Sequence, residues 1–195
     1  MRFLVQHPLY GPLLRSPWLE RSIAALGVLL LADSFLPWYR LSWTVVRYGT
    51  GQQTHHVNTA TAWHSSSGWS LAVLLGVVAA IGYVTCGVYA GRWPTLPARL
   101  RWLFLLTGTT GLLVATVSWL AIPSVDAPGG YGFVAAEKIA GGIRSGDIMR
   151  DHLSAREVNV AWGFYLAVFI MTALVLLMLL DIVRRADRNA AAPST

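Results

Sequence analysis

Charge is scarce along most of this chain, and lysine and cysteine are almost absent. Charged residues make up 12% of 195 positions, and they gather between long apolar runs instead of striping them. Lys138 is the only lysine; every other basic residue is arginine. Cys86 is the only cysteine, so no internal disulfide can form and the paired thiols of a disulfide-oxidising enzyme are lacking. No histidine falls inside an apolar run, which excludes a bis-histidine haem of the membrane-cytochrome type. There is no Ser-His-Asp set, phosphate loop, carboxylate pair or metalloprotease motif. Gly129-Gly130-Tyr131-Gly132 follows no predicted strand and opens no dinucleotide-binding helix, so it reads as a turn. These absences point away from catalysis and predict no cofactor, although bound lipid is compatible with them.

What the chain has is apolar length. Four runs, Ser22–Trp38, Trp69–Ala90, Trp102–Ile122 and Trp162–Val183, each approach the roughly 20 residues that a helix needs to cross a hydrocarbon core of about 30 Å. The last three carry no charge until Asp181, whereas soluble helices of that length show a polar stripe. Aromatic Asp33-Ser34-Phe35-Leu36-Pro37-Trp38-Tyr39 follows the first run, with no small-x-small cleavage site, so the run is expected to stay as a helix and not to be a signal peptide. With four spans and their loops, 195 residues leave no room for a separate soluble domain.

The net charge of +6 is unevenly placed. Arg2, Arg15 and Arg21 precede the first run, Arg92, Arg99 and Arg101 lie between the second and third, and Arg184, Arg185 and Arg188 follow the fourth. Only Glu20 and Asp187 offset them, while the two longer loops mix both signs. The positive-inside rule then places both termini and the middle turn in the cytoplasm. Trp18, Trp93 and Trp102 mark the inner interface, and Trp38, Trp43, Trp63, Trp69, Trp119 and Trp162 the outer one. No basic stripe with interleaved aromatics exists, so nucleic acid is not an expected partner. The arginine, alanine and glycine bias suggests a bacterial chain, hence the bacterial cytoplasmic (inner) membrane.

The expected architecture is an all-α membrane protein: an antiparallel four-helix transmembrane bundle, N-in and C-in, forming a single domain over residues 1–195. Its spans fall at about 17–38, 68–91, 101–122 and 155–184, with outer loops at 39–67 and 123–154. Residues 1–16 form an apolar cytoplasmic lead and 185–195 a cytoplasmic tail. Ser16-Pro17 starts the first helix, which is expected to end at Leu36 ahead of Pro37. Gly49, Gly51 and Ser65-Ser66-Ser67 predict irregular structure in the first outer loop, and Arg92–Pro97 a tight turn. Phe133 to Ile143 reads as a short interfacial helix. Ser154-Ala155-Arg156-Glu157 reads as a capping box that starts the last helix near Ser154. Gly68-Trp69-Ser70-Leu71-Ala72-Val73 and Gly163-Phe164-Tyr165-Leu166-Ala167-Val168 form a weak internal repeat.

Few side chains are chemical candidates. Asp33 is a possible intramembrane carboxylate, for which a proton relay is the functional reading. Pairing with Arg40 or capping of the helix end is the simpler one. His55, His56, His64 and His152 are weak metal candidates, and His64 a weak pigment-binding candidate, but their spacing matches no defined site. Gly76, Ala80, Gly108 and Gly111 are expected to serve close helix packing. Thr107, Thr110, Thr116 and Cys86 would line a cavity if a small molecule lay between the helices. Asp181 is read as pairing with Arg184 and Arg185 on the surface of a helix end.

Leu36-Pro37-Trp38-Tyr39, Thr61-Ala62-Trp63 and Trp162-Gly163-x-Tyr165-Leu166-Ala167, in this order around the spans, resemble small uncharacterised four-span proteins of actinobacteria. The resemblance implies location and topology and carries no catalytic residue. The expected function is that of a non-catalytic accessory or scaffold subunit of a larger membrane complex, with other membrane subunits and the bilayer as partners. A lipid, quinone or pigment carrier is the alternative.

Overall fold

The computed structural model describes residues 17–46, 50–89, 96–120 and 152–191. These form five helices and a small sheet: α1 (Pro17–Asp33), β1 (Pro37–Val46), β2 (Gln53–Thr61), α2 (Ala62–Ser65), α3 (Ser67–Tyr89), α4 (Leu96–Leu120), β3 (His152–Val160) and α5 (Trp162–Ala191). The lead, most of the middle turn and the expected helix over Phe133–Ile143 lie outside the described residues.

Three helices are long and apolar enough to cross a membrane, over Ser67–Gly87, Arg99–Leu120 and Trp162–Asp187. At 17 residues, α1 is shorter than the roughly 20 that a span requires. Pro17 occupies its first turn, where a missing N–H costs nothing. The helix closes earlier than expected. Ser34 N–H donates to Leu30 O at 3.0 Å and Ser34 Oγ donates to Leu31 O at 2.6 Å. Leu36 N–H then donates to Asp33 O at 2.8 Å, and Pro37 stops any continuation.

The sheet corrects the all-α expectation. In place of an irregular loop, β1 and β2 form an antiparallel hairpin with Arg40 opposite Thr59 and Thr44 opposite His55. Gly51, at φ +64°, takes the left-handed turn conformation between them that a side chain disfavours. On its other side β1 pairs antiparallel with β3, Arg40 opposite Asn159 and Leu41 opposite Val158, giving the order β2-β1-β3. Ser154 and Glu157 therefore lie in a strand, and the last helix starts at Trp162 instead of near Ser154. The Ser-x-x-Glu pattern loses to strand pairing with a segment more than 100 residues away. The join is tight: Ala161 N–H donates to Trp38 O at 2.9 Å, and Phe164 N–H to Ala161 O at 3.1 Å.

Helix pairing runs through small residues. Glu20 rests against Gly87, Gly27 against Ala80 and Leu30 against Gly76, so residue numbers fall along α3 as they rise along α1. Phe104 covers Gly82 and Ser118 covers Gly68, giving the same order between α3 and α4. Two buried clusters result. Near the sheet are Leu30, Trp38, Trp69, Phe164 and Met171; farther away are Ile23, Ala79, Tyr83, Leu174 and Met178.

Glycines in these contacts differ in tolerance. A Cβ on Gly163 would stand 2.6 Å from Pro37 O and 3.0 Å from Trp38 Cδ1, where backbone must move. On Gly108 it would meet Ala79, Leu174 and Val175 at 3.5–3.6 Å, ordinary contact. We expect Gly163→Ala to cost about 1–3 kcal/mol through overpacking. Gly108→Ala should be neutral or stabilise by up to about 1 kcal/mol. Thermal unfolding in detergent measures both; equal melting temperatures would refute the packing at Gly163.

Candidate functional site

Charged side chains collect at the two ends of the described helices and are missing between them. At the end away from the sheet, Asp181 of α5 is only 1% exposed. Arg185 Nε, one turn later, donates to Asp181 Oδ2 at 2.8 Å, and Tyr83 Oη of α3 lies 2.9 Å from the same oxygen. The single phenolic proton is shared between that carboxylate and Met178 O, 3.1 Å away. Arg185 also reaches α1, with Nη2 3.3 Å from Glu20 Oε1. Arg101 of α4 is buried and holds its guanidinium 5.8 Å above the Tyr83 ring, a cation–π contact. Two carboxylates and two guanidiniums from α1, α4 and α5 thus meet around one tyrosine of α3.

This corrects the surface-pair reading of Asp181. The spacing of four to Arg185 is real, but the carboxylate points inward, and its second partner lies 98 residues earlier in the chain. Acids flanked by arginines at two helix ends, Glu20 and Asp181, were the available signal; nothing local pointed to Tyr83. Removing one partner of such a buried set strands the others without solvation, a cost of several kcal/mol. The chemistry available here is cross-linking of helices by charge.

At the sheet end Asp33 is 2% exposed. Trp38 Nε1–H points at Asp33, 3.1 Å from its carbonyl and 3.2 Å from Oδ2. Neither simple reading of Asp33 holds in detail: Arg40 is exposed on β1, and the partner is the indole. Ser34 Oγ accepts from Trp63 Nε1 at 2.8 Å, which ties α2 to the end of α1. Trp38, Trp69 and Phe164 pack ring on ring with centroids 5.3–5.9 Å apart, and Trp119 joins through Phe164 at 5.9 Å. Tyr39, 1% exposed, has a hydroxyl without a hydrogen-bond partner, and burial pushes its phenol up to about 12.

The histidines are spread apart. His55 lies on β2, with Nδ1 3.3 Å from Thr44 Oγ1; His64 lies on α2, with Nδ1 3.1 Å from Thr61 Oγ1. The backbone of His56 is opposite Trp43 on one side of β1, and that of His152 is opposite Val46 on the other. Among the described residues no three His, Cys, Asp or Glu side chains form a metal-binding group.

The threonines do not converge on a cavity either. Thr107, Thr110 and Thr116 each donate to the carbonyl four residues earlier in α4, at 2.9 Å. Cys86 is buried near the charged end, whereas Thr116 is one turn from Trp119 near the sheet. Gly76 meets Leu30 and Met171; Gly111 meets Ala72, Leu75 and Met171; Gly108 meets Ala79 and α5; Ala80 is fully buried against Gly27. Compared with known proteins, the chain matches no family model and no curated relative.

Two measurements follow from these ends. Asp181→Ala should destabilise by about 3 kcal/mol, while Asp187→Ala, exposed on the same helix, should change stability by under about 0.5 kcal/mol. Matching thermal or denaturant transitions for the two would show that the charged set contributes nothing. For Tyr39, folding favours the neutral phenol. Its contribution is intact below about pH 10, the ordinary tyrosine range, and is lost as pH rises towards 12. Tyr39→Phe should melt no lower than the parent at pH 8 and lose part of the decline in stability above pH 10; an unchanged alkaline decline would remove Tyr39 as its source.

Proposed function

We propose that this chain is a multi-pass protein of the bacterial cytoplasmic membrane that serves as a non-catalytic accessory subunit of a larger membrane complex. In this reading α1 is a fourth, short span and the long helices form an antiparallel bundle. The arginine-rich end, with both termini, lies in the cytoplasm, and the sheet stands on the outer face.

The observation that carries the reading is the contrast between a filled core, with one shallow apolar recess of about 250 Å³ between α1 and α3, and a sheet edge that no other described strand pairs. Trp69, Phe164, Met171, Leu174, Met178 and Tyr83 are almost completely buried where a ligand between helices would sit. The helical threonine hydroxyls are taken up by their own backbone. By contrast, β2 pairs with β1 on one side alone among the described residues. Its sequence, Gln53-Thr54-His55-His56-Val57-Asn58-Thr59, has no lysine, proline or acid of the kind that guards free edges. Val57 and Thr59 are exposed on it. Such an edge accepts one more strand, and main-chain hydrogen bonds then supply the affinity. The occupant in this reading is an extended segment of a neighbouring membrane subunit.

Tagged native protein, purified in mild detergent, is tested by native mass determination, subunit identification and an absorption spectrum. We expect stoichiometric co-migration with other subunits and no chromophore. A Val57→Lys/Thr59→Lys double variant should melt like the parent yet lose the partner by about tenfold in affinity, which corresponds to about 1.4 kcal/mol. A lone chain or homo-oligomer sinks the subunit reading. Full co-purification of the double variant sinks the edge as its docking surface.

A further inference from the structure

Beneath α2, where α3 begins, is an open recess of about 510 Å³. His64, Ser65, Ser67 and Ser70 line its upper part, and Leu71 and Leu74 its lower part. We infer that this recess binds the phosphate of a membrane phospholipid, with an acyl chain lying down the outer face of α3. This goes beyond the accessory-subunit reading and does not depend on it.

Ser65 is the first observation. It is 4% exposed, its Oγ has no hydrogen-bond partner, and it lines the recess. A desolvated hydroxyl without a partner costs about 1–3 kcal/mol, which an anionic ligand oxygen accepting its proton would relieve. The second is the start of a 23-residue helix at the same place. Ser66 caps it, its Oγ accepting Trp69 N–H at 3.2 Å, and Ser70 N–H donates to Ser66 O at 3.1 Å. The amides of Ser67 and Gly68 belong to the first turn, whose N–H groups have no intrahelical acceptor. Those groups, with the positive end of the helix dipole, favour an anion. Among the described residues no acid lines the recess to oppose one.

His64 adds a donor. The imidazole is exposed with Nδ1 3.1 Å from Thr61 Oγ1, and in the tautomer that accepts the threonine proton at Nδ1 the ring offers Nε2–H. Ser70 Oγ is engaged with Ala62 O and Ser66 O at 3.0 and 3.2 Å, so it holds the α2–α3 corner and does not compete for ligand.

The apolar side of the recess distinguishes a lipid from free phosphate. Leu71 and Leu74 are about half exposed, and Val78 and Ile81 continue the same face of α3. From Leu71 to Ile81 the helix rises about 15 Å, comparable with the length of an acyl chain. Ser67 is also the first residue of a membrane-crossing segment, so the polar pocket stands at the depth of a headgroup.

The test is delipidated full-length protein in detergent, titrated by native mass spectrometry and thermal shift with phosphatidylglycerol, dioleoylglycerol and inorganic phosphate. Phosphatidylglycerol should bind and raise the melting temperature, dioleoylglycerol should bind at least tenfold more weakly, and millimolar phosphate alone should not stabilise. Ser65→Ala should weaken phosphatidylglycerol binding about tenfold without lowering the melting temperature of the lipid-free protein. Ser67→Glu, an exposed change, provides a second variant if the first folds poorly, and should repel the phosphate to a similar degree. Equal binding of dioleoylglycerol, or parental affinity in the variants, overturns the site. Protection by inorganic phosphate equal to that by the lipid overturns the lipid as its occupant.

Discussion

The indole of Trp38 donates into the carbonyl and carboxylate of Asp33 while its ring lies against Trp69 and Phe164. Its own carbonyl accepts Ala161 N–H at the head of α5. One residue therefore fixes the end of α1, the start of the sheet and the start of the last helix. The constraint behind it is that polar groups buried where water is excluded need partners, since each one buried alone costs as much as the net gain from several hydrogen bonds. The corner meets it for Trp38 Nε1–H and Asp33 Oδ2 and leaves Asp33 Oδ1 and Tyr39 Oη without a partner among the described residues. Gly163 fits under Pro37 and Trp38 because nothing larger can stand there. The β2-β1-β3 order depends on this corner, because β1 enters the sheet through it.

The charged set at the opposite end solves the same problem differently. Arg101, Arg185, Glu20 and Asp181 are collected around Tyr83, so each charge that a helix end brings inward meets an opposite charge or a ring. Between the two ends the described helices carry no Asp, Glu, Lys, Arg or His. A proton relay from Asp33 would have to cross that interval through Leu30, Met171, Leu174 and Met178, all buried and apolar. Asp33 therefore belongs to the corner with Trp38.

The sequence showed clearly the features that depend on residues near one another in the chain. Runs without charge marked four expected spans, of which three are helices long and apolar enough to cross a membrane, and Pro37 marked a helix that cannot continue. Alternation in Pro37–Val46 and Gln53–Thr61, with Gly51 in the turn, was a hairpin signal that two glycines and a serine run obscured. The third strand had no local signal. Ser154-Ala155-Arg156-Glu157 satisfies the helix-start pattern in full, and only pairing of Trp43 and Leu41 with Arg156 and Val158 decides for a strand. Asp181 was half legible for the same reason: four residues from Arg185 is visible in a sequence, and 98 from Tyr83 is not.

Tight packing also decides where activity can reside. On α3, Gly76, Gly82 and Gly87 receive Leu30, Phe104 and Glu20, and Ala72, Ala79 and Ala80 are fully buried beside them. A helix that gives its small face to three neighbours has only its large face left for the surroundings, here Leu71, Leu74, Val78 and Ile81. Without a hydrophobic drive between helices in lipid, such close contacts and the few buried hydrogen bonds hold the assembly, and a cavity at its centre would remove both. A binding site opened in that centre would weaken the contacts that hold the fold together. The proposed recognition surfaces, the rim where α2 meets α3 and the edge of β2, both stand outside this packed core.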